Sequence, residues 1–381
     1  MMTKHRAVLS RSLAASVAER PVPAILDRLA AIDPALQRFA EAAVWHRIPG
    51  FAWRFLSATS YRDTPGAARC LAAACDALAH HLRAKADLQY VTSVLQRAGI
   101  DALVIKGPVL AESVYAEPKL RSYLDVDLVV PPHSFCAAVE ALADAGCRRY
   151  DISWAGLLRA QAAEIHLLAP NGSIIDLHWN VVGDARARRN FQLGMEQLFR
   201  DARSVDVGGR PVRTLSPVDT VVHLCVHAAL SGADRLCWLT DIVRASQGIE
   251  WTAVSERARA WGLAAAVGTA LARAQRVVGL PAPADVIAGL LGGMSWRSIT
   301  ALVDRFGLPL GTQPNSLARL TARAARRGAA QSTAEFVRRT AVWALHGGRH
   351  GGSDLAFEPV AEDPADSADR DRYFRFVLAQ R

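Results

Sequence analysis

The chain has 381 residues, 51% hydrophobic and 21% charged, with a formal net charge of +9, which places it among soluble globular proteins with room for two or three domains. Its six scattered cysteines form no CxxC pair, which argues against a structural zinc site and for reduced, buried thiols in a cytoplasmic protein. Arg11 and Glu19 interrupt any signal-peptide core, and the longest uncharged apolar run, around 261–272, is too short to span a bilayer.

Residues 1–95 form an Ala/Leu/Arg-rich helical region, with a break at Thr64-Pro65-Gly66. The character changes at Gly99. DALVIKG (101–107) reads as a strand, and residues 107–117 read as a helix with Pro108 in its first turn. Leu110 with Val114, and Ala111 with Tyr115, give that helix an apolar stripe. YLDVDLVVP is a second strand, ended by Pro131-Pro132, and HSFCAAVEALADAGC (133–147) is an amphipathic helix with Gly146 near its end. AEIHLLAP and SIIDLHWNV flank Asn171-Gly172, a strong hairpin signal. The pattern over 97–181 is therefore βαβαββ, an α+β unit with a small mixed sheet, and the catalytic core is expected over 96–212. A C-terminal helical domain follows over 213–345, its helix start marked by Ser216-Pro217 with Asp219. HGGRHGGSD (346–354) reads as a Gly-rich break, and the acidic, Pro-containing stretch EPVAEDPADSADRDRY (358–373) of the tail as poorly ordered.

Asp125 and Asp127 project from one face of their strand, because side chains alternate. Burying two ionised carboxylates side by side costs several kcal/mol unless a cation meets them. Mg²⁺, or Mn²⁺ in its place, suits oxygen ligands of this kind. A DxD pair alone is equally a polar strand edge. Asp176, in a second apolar strand, changes the balance. If the hairpin lies beside the DxD strand, three carboxylates face one pocket, as in a two-metal phosphoryl-transfer site. Lys106-Gly107-Pro108 stands where a strand turns into a helix. Glycine permits close approach of a phosphate, and the helix start with the lysine favours an anion.

KGPVLAESVYAEPKLRSYLDVDLVV, then IIDLHW, then LSPVDTVVHLCVHAAL and RLCWLTDI, resemble the uncharacterised bacterial nucleotidyltransferase family of the polymerase-β superfamily over about residues 95–245. The resemblance implies a polymerase-β-like nucleotidyltransferase core flanked by helical regions. It also implies that Asp125, Asp127 and Asp176 bind metal and carry catalysis, and that Lys106 and Gly107 hold the triphosphate of an NTP substrate. The chain departs from the wider superfamily in having Lys-Gly-Pro where those enzymes carry Gly-Ser at the turn.

Other residues admit two readings. Arg121 is a candidate for nucleotide contact or a structural arginine. Tyr115 packs in a helix–sheet core. His178 shares the face of Asp176 and either touches substrate or orders that aspartate. His223 and His227 lack the glutamate of a HExxH helix, which argues against zinc; His227 is a candidate to look into the cleft. Asp241 and Arg235 are candidates for a buried pair. The basic residues of 317–328 form either an RNA-binding or a plain solvated face. The function expected is transfer of an NMP from an NTP to an acceptor hydroxyl or phosphate, with release of pyrophosphate. The acceptor expected is a small molecule, peptide or saccharide, with tRNA or protein nucleotidylation as the alternative. A non-catalytic nucleotide-binding scaffold is the remaining reading.

Overall fold

The computed structural model describes residues 2–19, 23–151, 153–307, 316–345 and 367–380. The chain divides into two compact units: a helical unit of residues 1–78, 114–122 and 217–350, and a sheet unit of residues 79–113, 123–216 and 351–381. The protein is a mixed α+β structure with a small mixed sheet.

In the helical unit, the expected break at Thr64-Pro65-Gly66 separates a helix over Pro49–Ser57 from a long one over Pro65–Arg97, which continues into the sheet unit. Phe39, Phe51, Leu56, Val221 and Trp296 are buried in the helical unit. Pro217 opens the Pro217–Ser231 helix as expected. Buried Arg273 donates to Asp304 Oδ1 at 2.7 Å and to the carbonyls of Gly232, Ala233 and Ala318. The basic segment forms a Ser316–Ala324 helix whose arginines turn toward protein neighbours. Arg319 lies 3.3 Å from Asp234, Arg323 donates to Leu230 O, and Arg326 lies 2.7 Å from Glu335. Among the arginines of 317–328, Arg327 is exposed and Arg319, Arg323 and Arg326 are half-buried.

The sheet unit contains β1 (Leu103–Val104), β2 (Asp125–Val129), β3 (Arg148–Arg149), β4 (Glu164–Leu168) and β5 (Ile174–His178). Their order is β1-β2-β5-β4-β3, with β2 and β5 parallel and the other pairs antiparallel. The expected first strand is only two residues long, and the helix expected to reach 117 stops at Ser113, where the chain passes into the helical unit. The β3 strand and a Trp154–Ala160 helix, capped by the Ser153 hydroxyl, are additions to the βαβαββ reading.

Strand alternation gives the sheet two unlike faces. Val126, Leu128, Ile165, Leu167, Ile175 and Leu177 lie on one and are buried in a single apolar cluster. The helices over Phe135–Asp144, Trp154–Ala160 and Ser367–Leu378 supply Phe135, Trp154 and Phe374 to it. The last helix corrects the expectation of a poorly ordered tail over 367–373. Tyr373 is fully buried there, its hydroxyl donating to Ala162 O at 2.9 Å. The part of that expectation over 358–366, and the Gly-rich break at 346–354, lie outside the described residues.

The hairpin forms as expected, but its loop has three residues, Pro170 to Gly172. Gly172 N donates to Ala169 O and Ala169 N to Ser173 O, with Gly172 at φ +89°. Asp87, fully buried on the long helix, clamps this loop by accepting from Asn171 N, Asn171 Nδ2 and Ser173 N at 3.0–3.1 Å. Among the described residues, no single helix is long and apolar enough to cross a membrane. All six cysteines are free thiols, and Cys75 is exposed rather than buried.

Candidate active site

The second sheet face carries the charged groups. Parallel register sets Asp127 beside Asp176, and antiparallel register sets Asp176 beside His166 and His178 beside Glu164. Asp125 falls on the same face by alternation. Lys106 reaches in from the turn after β1, its Nζ 2.6 Å from Asp127 Oδ1. His178 Nε2 lies 3.4 Å from that same oxygen, and His178 Nδ1 lies 2.9 Å from Glu164 Oε2. His166 stands 3.6 Å from Asp176 Oδ1 through Nε2, while its Nδ1 and backbone N–H face Asp151 Oδ2 at 3.1 and 2.9 Å.

This gathering is electrostatically incomplete. Asp127 is 2% exposed, yet its Oδ2 is buried without a hydrogen-bond partner, and so is Asp176 Oδ1. Leaving such an acceptor unmade costs about 1–3 kcal/mol, and more for a charge. Burial, then the neighbouring carboxylates of Asp125 and Asp127, push the Asp176 pKa well above the ordinary carboxylate range. For Asp127 burial acts in the same direction, but Lys106 and His178 outweigh it and hold the pKa well below. Burial opposes the charged forms of both imidazoles. Glu164 and Asp127 nevertheless raise His178 to about 10, and Asp151 with Asp176 raises His166 to about 9. Lys106 is likewise held above its usual value against burial, chiefly by Asp127 and Asp125. Bound protons thus do part of the neutralising, and two oxygens remain unmet.

A divalent cation fits this donor set. One donor atom from each of Asp127, Asp176 and His178 lies within 4.8 Å of the others, and hard carboxylate oxygens without hydrogen bonds are what such an ion takes. Gly107 is required by the turn on two grounds. Its φ is +56°, and a Cβ there would meet Asp125 O at 2.9 Å. Tyr123 packs beside it and is held by His81, whose Nδ1 lies 2.9 Å from the phenol oxygen and whose Nε2 lies 3.0 Å from Glu112.

The face therefore brings together Lys106, Asp127 and Asp176, with Asp125 on the same strand face. Arg121 is not in this group. It belongs to the helical unit, where its Nε and Nη2 donate to the two carboxylate oxygens of Asp241 at 2.9 and 3.0 Å. The partner expected for Asp241, Arg235, instead stacks over Trp45 and Trp238. Tyr115 is in no helix; its hydroxyl donates to Asp241 Oδ1 at 2.7 Å. His227 meets the edge of Trp238 within the helical unit.

Sequence reasoning missed Glu164, Asp151 and His81. The signal for Glu164 was the hairpin register, and one residue decides it. A two-residue loop at Asn171-Gly172 would set Leu167 beside Asp176 and Ile165 beside His178, whereas the three-residue loop sets His166 and Glu164 there.

Comparison with known proteins gives the family of the chain. The profile of a family described as uncharacterised nucleotidyltransferase matches residues 33–279, and the chain belongs to that family. Among solved structures, the solution structure of the antibiotic-resistance factor ANT(2'')-Ia is similar over 46% of this chain and 89% of that one, at 12% identity and a TM-score of 0.32. No curated protein matches the chain.

Proposed function

We propose that the sheet unit is a polymerase-β-type catalytic core that moves an NMP from an NTP to an acceptor hydroxyl or phosphate, with a divalent cation, in a cytoplasmic protein. The observation that carries this reading is the pair of buried, partnerless oxygens, Asp127 Oδ2 and Asp176 Oδ1, on adjacent strands beside Lys106.

Asp125, Asp127 and Asp176 hold the cation, which when bound neutralises charge on the phosphates. Lys106 at present answers Asp127. Were the carboxylates to hold a cation, the Lys106 ammonium, close to the Gly107 backbone, would turn from Asp127 to the triphosphate. The acceptor oxygen attacks the α-phosphorus, a P–O bond forms to the acceptor, and the bond to the β-phosphate oxygen breaks to release pyrophosphate. The acceptor's proton passes to the Asp176 carboxylate, through an oxygen that the cation would not occupy. The chain's own contribution is positioning and charge compensation. Arg121 acts in the fold of the helical unit, through Asp241.

The acceptor class favoured is a small molecule, peptide or saccharide. The alternative, tRNA nucleotidylation, draws its support from the basic C-terminal helices, whose Arg319, Arg323 and Arg326 are tied to protein neighbours. The test incubates the protein with α-labelled NTPs, Mg²⁺ or Mn²⁺ and cell extract. Label should move to an acceptor with the wild type and not with Asp125→Ala/Asp127→Ala. Equal transfer by both overturns the reading, and cation-dependent NTP binding without turnover favours a scaffold.

A further inference from the structure

The proposed function leaves His178 and Glu164 without a task, although both stand on the catalytic face. His178 is 5% exposed. Neither of its ring nitrogens makes a well-aligned hydrogen bond, so its neighbours meet it by charge and proximity alone. A buried imidazole in this condition is unusual, because buried polar atoms are normally satisfied.

The geometry around it has a direction. Nδ1 is 2.9 Å from Glu164 Oε2, on the side away from the aspartates, and Nε2 is turned toward Asp127. Glu164 sits opposite His178 by antiparallel register, so the backbone of the hairpin fixes this relation. Glu164 Oε2 beside Nδ1, with Nε2 within reach of the Asp127 carboxylate, stands where proteins place the carboxylate that orients a metal-binding histidine. The donor atoms of Asp127, Asp176 and His178 are already within 4.8 Å of one another, and donors about 2.1 Å from a shared ion stand up to about 4 Å apart.

We infer that the cation seat proposed above is a mixed nitrogen–oxygen site, in which His178, beside Glu164, adds an imidazole nitrogen to the carboxylates of Asp127 and Asp176 and of Asp125 on the same strand face, and that it takes a first-row transition-metal ion such as Mn²⁺ in preference to Mg²⁺. Mg²⁺ takes oxygen ligands and gives up its waters reluctantly, whereas imidazole suits first-row transition metals such as Fe²⁺, Ni²⁺ and Zn²⁺, and Mn²⁺, which shares the carboxylate preference of Mg²⁺, accepts an imidazole beside carboxylates more readily than Mg²⁺ does. The inference rests on the proposal that this face binds a divalent cation, and it adds the ligand set and the class of ion.

Electron spin-echo spectroscopy of the full-length protein with Mn²⁺ tests it without relying on turnover. The wild type should show a ¹⁴N coupling to the bound ion, and protein labelled with ¹⁵N only in histidine should lose that ¹⁴N pattern. His178→Ala should lose it too, and His166→Ala should keep it. Glu164→Gln should weaken Mn²⁺ binding by about 10–100-fold, and Mg²⁺ should displace Mn²⁺ less readily from the wild type than from His178→Ala. The labelled wild type needs no substitution, so misfolding of a variant does not decide the result. Bound Mn²⁺ without histidine nitrogen coupling, or a coupling that follows His166, overturns the inference while leaving the transfer reading intact. No Mn²⁺ or Mg²⁺ binding at all overturns both.

Discussion

Asp241 in the helical unit and the Asp127/Asp176 pair in the sheet unit are both buried acids, and they are treated in opposite ways. Asp241 receives a two-point guanidinium from Arg121 and the Tyr115 hydroxyl. Asp127 shares one oxygen between Lys106 and His178 and leaves the other unmet, and Asp176 leaves one unmet beside two further carboxylates. A completed ion pair holds a fold together. An incomplete one, retained on a rigid sheet, stores a demand for positive charge that a ligand can answer. The residue types are the same, and the number of satisfied oxygens distinguishes their roles.

Substitutions should separate the two clusters. The largest effect is expected at the incomplete one: Asp127→Asn and Asp176→Asn should each lower nucleotidyl transfer by at least about 100-fold, the scale of losing one electrostatic contact in a transition state. Asp176→Asn should leave the melting temperature of the metal-free protein unchanged or higher, since it removes like-charge repulsion. A clear loss of stability would place Asp176 with Asp241 among the structural acids.

The completed cluster should respond in stability. Asp241→Ala strands a buried guanidinium and should cost about 3–5 kcal/mol in urea unfolding; a change below about 1 kcal/mol would mean the pair behaves as an exposed one. Gly107→Ala comes next, at about 1–2 kcal/mol for the left-handed backbone, together with a raised KM for NTP because the turn must shift off Asp125 O.

The smallest effect concerns Glu335, a completed acid nearer the surface. Arg338 first, then Arg339 and Arg326, outweigh burial and hold its pKa down to about 2, from an ordinary 4.5. Its contribution to stability is therefore present in full above about pH 4.5 and is lost as the pH falls toward about 2. Glu335→Gln should flatten the melting temperature's fall across that window; an unaltered slope would remove Glu335 from the account.

Much of the proposed catalytic face could be read in the sequence because strand periodicity is strict. Asp125, Asp127 and Asp176 each stand in an apolar run whose alternation sets their face, and Lys106-Gly107 marks a turn that only glycine fits. What escaped depends on longer-range facts. Glu164 and His166 reach the face through a loop one residue longer than the Asn-Gly pair suggests. The Pro108–Ser113 helix ends early despite its apolar stripe, because Tyr115 and Arg121 are satisfied by Asp241, over a hundred residues away. The Ser367–Leu378 helix is masked by its acidic surroundings, although Tyr373, Phe374 and Val377 supply a buried edge. Pairing across that distance leaves no mark on local composition.

The central claim is that the unmet oxygens of Asp127 and Asp176 mark a cation seat. Calorimetric titration of Mn²⁺ and Mg²⁺ into the metal-free protein tests it most directly, comparing the wild type, Asp127→Asn/Asp176→Asn and Asp241→Asn. Saturable binding by the wild type and by folded Asp241→Asn, with none by the double variant, is the predicted result. Undiminished binding by the double variant would contradict the account.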